Sequence, residues 1–388
     1  MTPGKWPQFD QAEIDAVVSI LQSGKVNYWT GDECRAFERE YAQATGRQHG
    51  IALANGTLAL ELALHAFGIG AGDEVITTSR TYVASASCAV MRGATPVIVD
   101  VDPDSQCISV EAIRAAITPR TKAIIPVHLA GWPCEMDAIM ALAQEHQLVV
   151  IEDCAQAHGA TFRGRPVGAF GHAAAFSFCQ DKIITTGGEG GMLVLDDEDA
   201  WKRAWAYKDI GRSWDAVYNK AHAPGFRWLT ESFGTNWRLT EMQAAIGRLQ
   251  LAKLPSWTAQ RTANAQMLIQ GLSGLSALRV PLPPAHVQHA FYKFYAFVRP
   301  DKLAAGWSRD RVVAALNERG LPTTVGSCSE IYLEKAFTDR GLGPAGRLPV
   351  ARELGETSMM FMVHPTLSRE WMDFCVQTVQ SVMAEATA

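Results

Sequence analysis

The chain has 388 residues, 48% of them hydrophobic and 19% charged, with a formal net charge of −5. That length allows a large core and two domains, while the mild acidity gives no case for nucleic-acid binding, which calls for a basic patch. No uninterrupted apolar run approaches membrane-spanning length, and the opening residues lack the apolar core of a signal peptide.

Asp10 and Glu13 have the spacing of a capping box opening a helix whose Ile14, Val17, Val18 and Leu21 form one apolar face. A second helix from about Asp32 completes an N-terminal helical segment, 1–45. From Ile51 onward strands and helices alternate. Val75–Thr77, Pro96–Val99, Ala123–Pro126 and Leu148–Ile151 read as strands, with helices after Thr81, Val110 and Glu135. This is the pattern of a mostly parallel sheet covered on both faces. Two further apolar runs, Ala173–Phe178 and Met192–Leu195, precede a change of rhythm to helices near 198–209 and 239–254 and another from about Trp257. A domain join is expected there. The remainder holds an alternating strand over Phe291–Val298 and helices near 308–319, 347–355 and 368–384. The expected fold is α/β, with a large domain over 46–255 built on a mostly parallel mixed sheet and a smaller C-terminal α+β domain over 256–388.

Three places in this pattern carry chemistry. The run Ser177–Gly191 presents Lys182 between an apolar strand and a glycine-rich turn. To form a Schiff base its ε-amine must lose a proton, which desolvation or a nearby positive charge favours. Phe176, Phe178, Ile183 and Ile184 are the candidates for an apolar surround. Taken alone, Lys182 reads more readily as a solvated loop residue. Asp153 follows a buried strand, at the end where ligands bind in open α/β sheets, and a carboxylate there can keep a pyridine nitrogen protonated. With Gln156 it also fits a helix cap. Gly56 and Thr57 lie in a turn between a strand and an apolar helix, where free N–H groups and the helix dipole suit a phosphate. An anion cradle, a carboxylate for a ring nitrogen and an amine for an aldehyde are the three handles of pyridoxal 5′-phosphate.

The ordered motifs Ser23–Gly31, Ala54–Leu60, Gly72–Ile76, Thr81–Ala84, Val127–Leu129, Glu152–Gly159 and Asn236–Gly247 resemble those of the DegT/StrS group, the nucleotide-sugar aminotransferases of pyridoxal-phosphate fold type I. The likeness runs from about Trp6 to Ser368. It implies Lys182 as the internal aldimine lysine and proton carrier, Asp153 on the pyridine nitrogen and Gln156 on the ring hydroxyl side. Gly56, Thr57, Leu58 and Ser177 match phosphate-holding positions, and Tyr82 matches the aromatic that stacks on the ring. Asn236 matches a residue reaching the phosphate from the neighbouring subunit of a homodimer that shares its sites. Asn27, Tyr28 and Trp29 are sugar-nucleotide pocket candidates by resemblance. His128 and His158 are pocket candidates or hydrogen-bonded structural histidines. The segment 201–237, rich in aromatic and basic residues, reads as an irregular loop or as a rim over the site.

The activity implied is ping-pong transamination: L-glutamate leaves its nitrogen on the cofactor as pyridoxamine phosphate (PMP), and a nucleotide-linked keto hexose takes it up. The product would be an amino sugar for lipopolysaccharide O-antigen or another surface glycoconjugate. The rival readings are a sugar dehydratase, which in some relatives carries histidine in place of the lysine, and a non-catalytic sensor. UDP, GDP or dTDP and amination at C3 or C4 all fit. Two departures from the family stand out. Glu189 comes one residue later after Lys182 than is usual, and Gly326–Phe337 lacks a histidine-containing stretch found near the sugar in many relatives. The eight cysteines, at 34, 88, 107, 134, 154, 179, 328 and 375, show no metal-ligand spacing. They read as free thiols of a reducing compartment, so the expectation is a cytoplasmic enzyme with no metal and no membrane or nucleic-acid partner.

Overall fold

The computed structural model describes residues 3–388. Asp10 caps the first helix, α1 (Gln11–Ser23), through the expected capping box with Glu13. The apolar face expected on it is not covered: Ile14, Val18 and Leu21 are 48%, 44% and 55% exposed. Ion pairs help to seat this helix, because Lys253 reaches Asp10 at 2.8 Å and the buried Glu13 at 2.9 Å. In α2 (Glu33–Ala44) the first N–H groups are capped from a distance by the Glu241 carboxylate, at 2.6 Å from Glu33 and 3.2 Å from Cys34.

The alternating region forms a seven-stranded sheet. Its strands are β1 (His49–Leu53), β2 (Glu74–Thr78), β3 (Thr95–Val99), β4 (Thr121–Ile125), β5 (Val149–Asp153), β6 (Ala173–Ser177) and β7 (Gly191–Leu195). They lie in the order β1-β7-β6-β5-β4-β2-β3, and β7 alone runs against the others. Every residue of β6 and β7 is buried, as small and apolar strands covered on both faces require. The helices α3 (Gly56–Ala66), α4 (Ala84–Met91), α5 (Val110–Ala116), α6 (Met136–His146) and α7 (Glu198–Lys208) connect and flank the strands. The parallel course brings the C-terminal ends of β1, β2, β4, β5 and β6 to one edge, the place for a ligand in such a sheet.

Two expectations beyond the sheet are corrected. The helices expected on either side of residue 255 are one helix, α8 (Glu241–Leu272), which runs through Pro255 and across the expected domain join. Proline removes one helical hydrogen bond, at about 3 kcal/mol. Tertiary anchors on both sides offset it: Lys253 pairs with α1, and Asn264 Nδ2 donates to the carbonyls of Val363 and His364 at 3.3 and 3.1 Å. The strand expected from Phe291 starts at Phe294, because Phe291 sits at φ 48°, in the left-handed region. The C-terminal sheet is antiparallel, with β8 (Leu278–Arg279), β9 (Phe294–Val298) and β10 (Ser358–Phe361) in that order. Central β9 is buried throughout instead of alternating. Helices α9 (Arg309–Glu318), α10 (Pro349–Thr357) and α11 (Arg369–Ala386) complete this region, whose own apolar cluster joins Leu268 of α8 to Phe294, Met359 and Val379. Among the described residues no helix is long and apolar enough to cross a membrane.

Glu152 anchors the site-bearing end of β5. It is fully buried and accepts from the backbone N–H groups of Gly168, Phe170 and Gly171 at 2.8, 2.8 and 2.7 Å, and from His128 Nε2 at 3.1 Å. Burial alone would push this carboxyl up, yet these bonds hold it below the usual carboxylate range. Glu152→Ala strands three buried N–H donors and is expected to cost about 3–5 kcal/mol, read as a lowered Tm in thermal denaturation. An unchanged Tm would contradict the anchoring role.

Candidate active site

An open cleft of about 1150 Å³ lies at the sheet edge and gathers Gly56, Thr57, Leu58, Tyr82, Asp153, Gln156, Ser177 and Lys182 on its walls. These positions, distant in sequence, meet because each follows or ends one of the parallel strands.

At the end of β1, Asn55 caps α3 by accepting from Leu58 N at 3.0 Å. Leu58 therefore lends its side chain to the wall while its N–H is already used. The turn packs so tightly on β6 that a Cβ on Gly56 would lie 2.7 Å from Ser177 Cβ. Only glycine permits this approach, which sets the first turn of an eleven-residue helix beside the Ser177 hydroxyl. N–H groups at such a helix start form an anion site.

Asp153, 5% exposed, closes β5. Ser85 Oγ donates to its Oδ2 at 2.7 Å and Ala155 N to its Oδ1 at 3.1 Å. Since the Ser85 proton goes to the carboxylate, the Thr81 hydroxyl donates in turn to Ser85 Oγ, at 2.8 Å. Burial still pushes the Asp153 carboxyl above its ordinary range, and among the described residues it forms no ion pair. A protonated ring nitrogen set against it would relieve that cost. Gln156 is oriented by Ala130 N, which donates to its Oε1 at 2.8 Å. Tyr82 is 69% exposed on the cleft wall, so its ring is available for stacking.

Lys182 is half-buried beyond β6, held by backbone bonds from its N to Cys179 O and from Trp6 Nε1 to its O, both 3.0 Å. The apolar surround expected from its sequence neighbours is elsewhere. Phe176 and Phe178 turn into the core against Phe37 and Tyr41, and Ile183 and Ile184 are fully buried in that same core. The residue that does face the amine is Tyr292, whose ring centre lies 5.0 Å from Nζ. Its hydroxyl bonds to Asp181 beside the lysine. The turn before Glu189 uses two consecutive left-handed glycines, Gly187 at φ 85° and Gly188 at φ 129°. Gln243 Nε2 then pins the loop at Glu189 O, 2.7 Å away.

Other candidates lie off this cleft. Tyr28 is buried, donating to Glu38 at 3.2 Å and accepting from Trp205 Nε1 at 3.1 Å. Trp29 donates to Asp209 at 3.3 Å, and Asn27 is exposed and caps Trp29 N at 2.9 Å. Asn236 is exposed, bridged to Asp209 and away from the cleft lining. His128 serves Glu152 and accepts from Cys134 N at 3.0 Å. His158 Nε2–H donates to Ser177 O at 2.9 Å, which leaves Nδ1 to accept from the Tyr41 hydroxyl at 2.7 Å. It supports the end of β6 from behind. Sequence reasoning missed Ser85 and Tyr292, because neither has a spacing that marks it.

The family model described as the DegT/DnrJ/EryC1/StrS aminotransferase family matches residues 7–380. The chain belongs to this family. It is an aminotransferase with the fold of type I pyridoxal-phosphate enzymes. The X-ray structure of the aminotransferase from Psychrobacter cryohalolentis superposes with a TM-score of 0.98, at 55% identity over 100% of both chains. The dTDP-3-amino-3,4,6-trideoxy-alpha-D-glucose transaminase of Streptomyces venezuelae is 36% identical over 360 residues, 92% of this chain and 89% of the relative. The PMP form of the sugar aminotransferase Spr1654 from Streptococcus pneumoniae, whose function is assigned provisionally, matches at a TM-score of 0.89 and 27% identity, over 100% of both chains.

Burial holds His158 neutral, pushed down to about 3. The unfolded chain protonates this ring near its ordinary value while the folded chain refuses the proton, so stability is lost as pH falls below about 6.5. Acidification from about pH 7 to about pH 5 is expected to lower Tm, and His158→Gln to show a shallower fall. A slope equal to that of the unsubstituted protein would oppose this.

Proposed function

We propose that the chain transfers an amino group from L-glutamate to a keto group of a nucleotide-linked deoxyhexose, with pyridoxal 5′-phosphate held in the cleft. One observation carries the reading: Lys182, Asp153 and the start of α3 line the same cavity. The residues fit the cofactor. Gly56 lets the start of α3 pack directly against Ser177, Asp153 is a buried carboxylate with no ion-pair partner among the described residues, and Lys182 places an amine on the cleft wall beside the sheet.

When bound, the cofactor supplies an aldehyde that condenses with amines and a ring that draws electrons from the neighbouring carbon. Lys182 Nζ would be the amine that holds the aldehyde, and, once freed by the donor, the base and acid that moves the donor's α-proton. Asp153, steadied by Ser85, keeps the ring nitrogen protonated and therefore electron-withdrawing. Gly56 and Thr57 N–H groups with the Ser177 hydroxyl hold the phosphate. Tyr82 would stack on the ring, and Gln156 would attend its hydroxyl side. The donor leaves as 2-oxoglutarate and the keto sugar departs as an amine, so nitrogen and protons balance.

The breadth of the cleft supports a sugar nucleotide better than a small keto acid, and so does the named activity of the Streptomyces relative. The proposal extends to a homodimer in the cytoplasm, in which Asn236 of the second copy approaches the phosphate, and to a product destined for surface polysaccharide or glycoconjugate. The exposure of Asn236 away from its own cleft supports such sharing.

The test is a panel of UDP-, GDP- and dTDP-linked keto sugars incubated with glutamate, or with glutamine in parallel, and read by mass spectrometry. An aminated sugar with stoichiometric 2-oxo acid is expected; deoxygenation without donor consumption would instead mark a dehydratase. Lys182→Ala is expected to lose the absorbance band at the edge of the visible range and to reduce turnover by at least about 10³-fold, with Tm little changed. Steady-state activity retained in that variant would refute the assignment. Asp153→Asn should lower kcat more than it raises KM, because its interaction strengthens as charge develops.

A further inference from the structure

A second cavity, of about 250 Å³, adjoins the catalytic loop and is built around Arg261 and Lys293, with Trp6, Phe361 and Trp371 among its walls. Arg261, on α8, is 1% exposed. Its Nη1 donates to the carbonyls of Tyr292 and Phe291 at 3.3 and 3.4 Å, and the Trp6 ring centre lies 5.0 Å from its guanidinium carbon. The other edge is unpartnered: neither Nε nor Nη2 has an acceptor among the described residues. A buried charge without a partner is expensive, and burial pushes this guanidinium down to about 9.

Neighbouring groups do not neutralise it. Asp181 is already engaged by the Tyr292 hydroxyl and by Lys293 at 3.6 Å. Burial keeps His364 neutral, pushed down to about 3. The cavity thus carries two cations against one shared carboxylate.

We infer that this cavity binds a small carboxylate with a compact apolar body. The Nε–H and Nη2–H of Arg261 form the side-on edge that takes a carboxylate in two parallel hydrogen bonds, and the aromatic walls suit an apolar remainder. The volume is too small for a nucleotide-linked sugar, and the cavity meets the main cleft along Asp181, Tyr292 and Lys293, which line both. Trp6 joins the two: it walls the cavity and donates its indole N–H to Lys182 O at 3.0 Å. Occupation is therefore felt at the catalytic loop.

The test uses the protein with its cofactor bound, so that the cofactor end of the main cleft is occupied. Sodium benzoate is titrated by calorimetry at constant ionic strength, with sodium sulfate as the comparison, and crystals are soaked in 4-bromobenzoate. Saturable one-to-one benzoate binding is expected, weaker for sulfate, with a bromine anomalous peak beside Arg261. Arg261→Met should weaken benzoate by at least about ten-fold. Should that variant not fold, Cys375→Phe, which fills the cavity from α11 and keeps the arginine, should abolish binding. Absent saturation, a bromine peak confined to the main cleft, sulfate binding tighter than benzoate, or benzoate affinity retained in Cys375→Phe would each overturn the inference.

Discussion

Glu152 and Asp153 are adjacent carboxylates on one strand that must do opposite things. A strand sends successive side chains to opposite faces, so the first is turned inward to gather three backbone N–H groups and His128, and the second opens into the cleft. The inward acid is fully bonded and stays ionised. Its neighbour is only partly bonded and is kept under electrostatic strain. The rest of the site is arranged around that asymmetry: β6 pairs beside β5, and Gly56 packs against its last residue. Helix α4 supplies Ser85 from above. A site built this way is rigid at its floor, because each contributing group is tied to the sheet by main-chain bonds.

Much of this was legible in the residues. The alternation from Ile51 onward predicted the sheet, since parallel strands buried on both faces leave unbroken apolar runs. Lys182, Asp153 and Gly56 meet in one cleft, as their places at the ends of strands predicted. What could not be read had one cause, which is that tertiary contacts overrode local preference. Pro255 argues for a helix end, yet anchors on both sides carry α8 through it. Ile14, Val18 and Leu21 have the spacing of a buried stripe and lie open. Phe178 and Ile183 are next to Lys182 in sequence but face the core, so the ring that meets the amine comes from Tyr292, more than a hundred positions away. The histidines show the same limit, since a polar residue near a motif can as well support it from behind as act within it.

The cleft has two unlike sides. The sheet edge offers bonded, buried groups in fixed positions. The side formed by the C-terminal region brings Tyr292, Tyr295, Thr324 and Met360. Chemistry common to a family belongs on the first, where geometry is shared by every member that keeps the sheet. Gly326, Cys328 and Ile331 line this second side as well, so the segment from Gly326 to Phe337 borders the same space.

Helix α8, 32 residues long, spans both regions without a break. At about 1.5 Å per residue it is a rod of roughly 48 Å, clamped by α1 and α2 near its start and by Asn264 to the segment after β10 farther along. One continuous element thus ties the N-terminal helices to the C-terminal sheet, so the two sides of the cleft are braced by the same strut.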